Sequence, residues 1–385
     1  MFVKTIHKSS IKTAGLLLGI LGAGAALLAW PQAVSGGVSR GLSICSSVII
    51  PSLFPFLVLA GFLVRSGVSA ALGRRLEKPT RFLFGLPGSC AAGILIGFVG
   101  GYPAGGMAAG DLVRQGSITR DEGRRMLRFC VNGGPAFVIS AVGAGMMGSV
   151  RYGAVLFAAH IGASLLLGLC SRLLSGRTKN AEKKGDEHPG TATKRLPPAA
   201  AFVESVNAAC RSLLFMCGFV VLFAALLALC DVSGVSGFIH YMLAWPLEAA
   251  GADASALSCV FPCLMEVSCG CVEASGTGPL APFLLGAALG WGGLSVHCQL
   301  AATLYEQKLL TRGFFAFRAA HAVLGGVLSV LLFRVVPMPL VVFSPLSDAR
   351  LQPFTTSAAA SAALLMMCAI FLMAVAMRRR DPSRQ

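Results

Sequence analysis

Two segments of this chain put the worst helix formers where hydropathy says membrane. The stretch Gly100–Gly106, GGYPAGG, lies in a run from Phe82 to Gly110 without a charged residue, and WGGLSVHCQL, Trp291–Leu300, lies in a second apolar stretch. In a bilayer every backbone N–H and C=O needs a partner inside the protein, so irregular backbone survives there only where it is buried or lines a cavity. Interrupted helices also present unpaired N–H groups and a positive dipole end, which suits the capture of an anionic solute. The competing reading gives the glycines to close helix packing.

Titratable side chains at membrane depth are costly and therefore informative. Glu266, in FPCLMEVSCG, is a carboxylate inside an expected span. It reads as a proton or cation site, as a hydrogen-bonding partner for an unwound hairpin tip, or as half of a structural pair with a buried N–H or an arginine. Asn132 opens a span in CVNGGP and is followed by Pro135. His160 and His321 also fall within spans; each suits either a helix-to-helix hydrogen bond or a proton relay. Cys263, Glu266, Cys269, Cys271, His297 and Cys298 cluster in sequence without a recognised metal spacing, so no metal is expected. The chain contains no G-x-S-x-G elbow, Walker A loop, H-E-x-x-H pair or dinucleotide fingerprint. It reads as no enzyme, with no cofactor and no nucleotide site of its own.

The elements that position these residues follow from composition. The 385 residues are 55% hydrophobic and 12% charged, with apolar runs recurring from Thr13 to Met377. This is the composition of an all-α polytopic membrane protein, whose first partner is the lipid bilayer. The net charge of +16 reflects Lys and Arg gathered in the loops and tails between spans. Positive-inside topology accounts for that pattern, and nucleic acid is not an expected partner. Thirteen cysteines are scattered through apolar segments as small packing residues.

Arg114, Arg120, Arg124, Arg125 and Arg128 follow the first glycine-rich run, and a single crossing would carry them outside. As a straight helix that run would be about 43 Å long, well beyond a ~30 Å hydrocarbon core. A re-entrant hairpin bent at GGYPAGG uses the length and returns the arginines to the cytoplasm. Crossings are expected over Ala14–Trp30, Leu42–Val64, Phe129–Ser149, Tyr152–Leu174, Arg211–Cys230, Ala254–Cys271, Phe314–Val336 and Ser357–Met377, with a second hairpin over Ala274–Tyr305. The architecture is eight crossings plus two re-entrant hairpins; the rival is ten helices in inverted repeats.

Writing Gly100–Arg120 over Gly292–Arg312 gives identities at Gly100/Gly292, Gly101/Gly293, Ala109/Ala301, Leu112/Leu304, Gln115/Gln307, Thr119/Thr311 and Arg120/Arg312, seven of 21. Self-similarity of this kind points to duplication. The organisation expected is a first transmembrane repeat over 1–174, a polar cytoplasmic linker over 175–200 and a second repeat over 201–385.

The segments GGYPAGG, FCVNGGPAF, FAAHIG, LMEVSCG and GGLSVHCQ, in this order over nearly the whole chain, resemble the sporulation integral membrane protein YlbJ family. That family is also called stage V sporulation protein V and carries the Gate, or nucleoside-recognition, domain. The resemblance implies a permease that moves dipicolinic acid, a small anionic pyridine dicarboxylate, towards the forespore across the mother-cell-derived outer forespore membrane. A nucleoside-type or other small-solute transporter, or a membrane scaffold, is the alternative. By motif, Gly101, Tyr102, Pro103 and Gly105 correspond to the family's GYPxG turn. Asn132, Gly134 and Pro135 match its NxGP segment, and Gly293, Ser295 and Gln299 its GLSxxxQ segment. Met107 stands where a lysine is expected after the turn, and Val131 where a second polar residue is common. A small solute is then the ligand, and further copies of the chain or other sporulation membrane proteins are the partners this role admits.

Overall fold

The computed structural model describes residues 17–336 apart from 20, 23, 66, 67, 175–196 and 252. The expected span Ser357–Met377, most of the linker and part of Ala14–Trp30 lie outside the described residues. Among those residues the chain is helical, with no strand, and five helices are long and apolar enough to cross a membrane: Pro31–Phe62, Val150–Leu174, Pro198–Val232, Gly278–Thr303 and Arg312–Val335. This is an all-α polytopic membrane protein.

Helices α1 (Pro31–Ile44) and α2 (Ile50–Arg65) join through a π turn at Cys45–Ile49. Pro51 follows that turn; it has no N–H to donate and its ring crowds the preceding turn, so the regular ladder widens there. Gly37 and Gly41 of α1, four residues apart, lie on the backbone of Ala224, Ala225 and Val221. Helix α3 (Val68–Phe84) leads into the first glycine-rich run.

That run folds as expected. Helices α4 (Cys90–Gly100) and α5 (Tyr102–Arg114) are the arms of a hairpin turning at Gly101, whose φ of 88° and ψ of −179° favour glycine. Gly97 and Gly105, four residues either side of the tip, lie face to face; a Cβ on Gly97 would stand 3.2 Å from the Gly105 Cα. Helix α6 (Arg120–Cys130) starts from a capping box: Thr119 Oγ1 accepts from the Glu122 N–H at 3.2 Å, and the Glu122 carboxylate accepts from the Thr119 N–H at 2.7 Å. It stops before Val131–Pro135, and a π-helical segment, Ala136–Met146, continues beyond. Helix α7 (Val150–Leu174) follows.

After α8 (Pro198–Val232) and α9 (Val235–Glu248), the structure departs from the expected layout. The segment Ala254–Cys271, expected to cross, is a hairpin. Its arms, α10 (Val260–Met265) and α11 (Val267–Ser275), turn at Glu266, and Gly270 packs on the Cys263 backbone with a Cβ-to-N separation of 2.8 Å. The segment expected to form the second hairpin is a broken helix instead. Helices α12 (Ala281–Trp291) and α13 (Gly293–Thr303) belong to one 26-residue apolar run interrupted at Gly292, and they pack on different neighbours. Gly286 and Gly290 of α12 do not face α13. They face Gly325 and Ala322 of α14 (Arg312–Val335).

The order hairpin, broken helix, continuous helix thus occurs twice among the described residues. The gapless register of Gly100–Arg120 over Gly292–Arg312 joins a hairpin arm to half of a broken helix, two elements of different kind. A shared Ala-Ala-His, Ala158–His160 and Ala319–His321, falls on the two continuous helices, with the histidines 161 positions apart.

Candidate solute site at the helix breaks

Each hairpin tip sits on the break that follows it. A Cβ on Gly134, in the first break, would lie 2.8 Å from the Val99 carbonyl oxygen and 3.1 Å from the Gly101 nitrogen. A Cβ on Gly293, in the second break, would lie 2.8 Å from the Val267 nitrogen and 3.0 Å from the Glu266 Cα. Only glycine lets backbone approach backbone this closely. The first hairpin is held further by the end of α6. A Cβ on Gly97 or Gly105 would overlap the Cys130 carbonyl oxygen, and Cys130 Sγ lies 3.6 Å from the Gly105 carbonyl.

A helix that stops leaves backbone groups without intrahelical partners, and at depth these must be satisfied by protein. In the first break Asn132 Nδ2 donates to the Phe129 carbonyl at 2.7 Å and lies 3.2 Å from Ser164 Oγ, which itself donates to Phe129. The Gly133 N–H donates to His160 Nε2 at 3.0 Å. Arg318 Nη1 donates to the Val131 carbonyl at 2.5 Å. In the second break, where Gly292 and Gly293 have φ of 86° and 77°, the Leu289 carbonyl accepts from the Tyr102 hydroxyl at 2.9 Å and from Arg318 Nη2 at 3.3 Å. Trp291 accepts from Arg318 Nε at 3.3 Å.

His160 and His321 stack with ring centres 4.6 Å apart. His321 Nε2 meets the His160 carbonyl at 3.1 Å, and its Nδ1 faces Arg318 Nη1 at 3.3 Å. Read as a consistent network, His321 carries its proton on Nε2, and His160 accepts the Gly133 N–H through an unprotonated Nε2. Neither ring is part of the cleft lining.

The cleft itself is lined from both halves: Gly101, Tyr102 and Pro103 of the first tip, Gly134 of the first break, Glu266 and Ser268 of the second tip, and Val296 and Gln299 of α13, with Leu53, Phe56, Phe137 and Met216 among its apolar walls. The two tips offer different chemistry. Helix α5 begins at the first tip without a side-chain cap, so its N-terminal dipole is open to the cleft. Helix α11 begins at the second tip capped by Glu266, whose Oε2 accepts the Cys269 N–H at 2.8 Å while Ser295 Oγ donates to Oε1 at 3.4 Å. Gln299 is 4% exposed, and its side-chain amide has no hydrogen-bond partner among the described residues. Among the described residues no Lys or Arg lines the cleft.

Of the residues singled out from sequence, Gly101, Tyr102, Pro103, Gly134, Glu266 and Gln299 meet in one place. Gly105, Asn132, Pro135, Gly293 and Ser295 build the surrounding frame. Sequence reasoning missed Arg318, which lies close enough to the start of its span to pass for a side chain reaching back to the membrane surface. It also missed Ser164, one turn beyond His160 on the same face of α7. Among the described residues no group of three or more His, Cys, Asp or Glu is placed to hold a metal.

No family model matches the chain. A solved structure of a CNTnw variant in the intermediate 3 state shares the fold at a TM-score of 0.52, with 14% sequence identity and coverage of 86% of this chain and 87% of its own. The sporulation integral membrane protein YlbJ of Bacillus subtilis (strain 168) is 26% identical over 330 residues, 80% of each chain. An identity of that extent, together with the order of the motifs, supports this chain's membership in the YlbJ family of sporulation integral membrane proteins.

Proposed function

We propose that the protein is a permease for a small polar solute, with no catalytic chemistry of its own, acting in the sporulation setting its relative's name indicates. The observation that carries this reading is the convergence of both hairpin tips, the first helix break and the helix that follows the second on one cleft, whose wall holds the amide of Gln299 without a hydrogen-bond partner among the described residues. A scaffold has no need of such convergence: glycines that served packing alone would leave the two tips apart, and Gln299 would have a protein partner. Discontinuous helices meeting at mid-depth are a common way to build a transporter site.

Dipicolinate, carried across the outer forespore membrane, is the solute the family resemblance implies. The open N-terminus of α5 supports binding of one of its carboxylates. A second reading, a neutral solute of the nucleoside type, is favoured by Glu266 in the lining and by the lack of a lining cation. Uptake of labelled dipicolinate into vesicles containing the purified protein, with nucleosides as competitors, tests both. Saturable dipicolinate uptake unaffected by nucleosides supports the first reading, and competition or nucleoside uptake supports the second. Vesicles inert to both solutes would count against the permease reading.

A further inference from the structure

Arg318 is the largest fully buried side chain among the described residues, at 1% exposure, and neither ion pair found there includes it. Its hydrogen-bond partners are backbone carbonyls of both breaks, Val131 just past the end of α6 and Leu289 and Trp291 at the end of α12, together with His321 Nδ1. The Tyr102 ring of the first hairpin tip lies 5.9 Å from the guanidinium carbon. A buried charge without a counter-charge costs several kcal/mol. Here the counter-charge is the backbone itself. Each helix C-terminus carries roughly −0.5 of an elementary charge, so two such ends facing one point supply about one negative charge. The planar fork of arginine reaches three carbonyls at once, whereas an ammonium presents a single point charge.

Unwound carbonyls and helix C-terminal ends are also the groups from which transporters build cation sites. We propose that Arg318 is a tethered cation that fills the junction of the two broken helices, so that this junction neither needs nor admits a mobile ion such as Na⁺. Deleting the side chain leaves a carbonyl-lined hole of guanidinium shape, which a free guanidinium ion refills. The inference concerns the frame behind the cleft and is read without solute, so its failure is distinct from failure of the permease reading.

The test is thermal unfolding of the detergent-purified full-length protein and of Arg318→Ala, in choline, sodium or low-millimolar guanidinium chloride, with equimolar urea as the control. The parent unfolds at the same temperature in all four. Arg318→Ala unfolds roughly 5 °C lower, the shift expected for orphaning a buried polar junction in a chain of this size. Guanidinium restores at least half of that loss and urea none. An unchanged melting temperature for Arg318→Ala, or a loss that guanidinium does not reduce, overturns the proposal. If Arg318→Ala does not accumulate, Arg318→Lys and Arg318→Gln decide. The cationic variant melts closer to the parent than the neutral one, and equal losses overturn the proposal.

Discussion

The Tyr102 hydroxyl, at the tip of the first hairpin, donates across 2.9 Å to the Leu289 carbonyl, at the end of the helix before the second break, from 187 residues away. The two halves of the chain are therefore joined at the cleft itself. The same carbonyl accepts from Arg318, whose guanidinium lies near the Tyr102 ring, so hairpin tip, helix break and buried cation form one unit.

Tyr102→Phe removes only the hydroxyl. Leu289 keeps its Arg318 donor, so no buried acceptor is orphaned and the expected cost is about 1 kcal/mol, about a degree in melting temperature. Tyr102→Ala also removes the ring and leaves a cavity, with an expected loss of about 3 to 5 kcal/mol. Thermal unfolding in detergent compares the two variants. Equal losses would mean that the hydroxyl, not the ring, holds the tip.

The tip glycine Gly101 and the break glycine Gly293 are expected to differ for a geometric reason. At Gly101 a Cβ has room, with its nearest neighbour, the Gly134 nitrogen, 3.8 Å away. The penalty for Gly101→Ala is therefore conformational, about 1 to 3 kcal/mol for the positive φ. At Gly293 the same strain is joined by overlap with the Val267 and Glu266 backbone, which has no free end to move aside. Gly293→Ala should lose more stability and more uptake than Gly101→Ala, while both still insert. Uptake and melting temperature measured on the same preparations check the order.

The first hairpin was legible because an uncharged run too long for one crossing carried its glycines and proline near the middle. The second was not, because a glycine pair marks a break without saying whether the chain turns back or goes on. The signal that separates the two is where the small residues of the arms point. Gly97 and Gly105 flank their tip symmetrically and face each other, and Cys263 and Gly270, three before and four after Glu266, likewise face each other. Gly286 and Gly290, four apart on one side of the Gly292 break, make a face for another helix. Of the site, the residues at the tips and breaks could be read from glycine, proline and buried polar positions. The Arg318 junction could not, since its partners are backbone carbonyls, which every residue carries.

Gln299 is a polar side chain of the cleft without a hydrogen-bond partner among the described residues, so removing it breaks no hydrogen bond of the fold. Gln299→Ala breaks no internal hydrogen bond but takes a buried side chain from the cleft wall, so its expected cost is about 1 kcal/mol, the typical size for a single substitution. A lost hydrogen bond to an uncharged solute group, worth about 0.5 to 1.5 kcal/mol, raises KM by roughly 2- to 13-fold. Uptake kinetics beside a melting curve separate the outcomes. A large stability loss with unchanged KM would assign Gln299 to the frame.

Glu266 has two candidate roles that a single substitution can part. As the cap of α11 its carboxylate accepts the Cys269 N–H through Oε2 and faces Ser295 through Oε1. Glutamine can keep both contacts, with its oxygen on Cys269 and its amide donating to the serine hydroxyl, so Glu266→Gln is expected to fold and insert. Glu266→Ala loses the cap and about 1 kcal/mol with it. If the carboxyl also exchanges a proton with the solute pathway, the glutamine variant transports without the parent's pH dependence, because an amide has no proton to release in that range. Uptake across a pH series in vesicles makes the comparison. A glutamine variant that follows the parent's pH profile leaves Glu266 as a helix cap, and transport would then be coupled elsewhere or not at all.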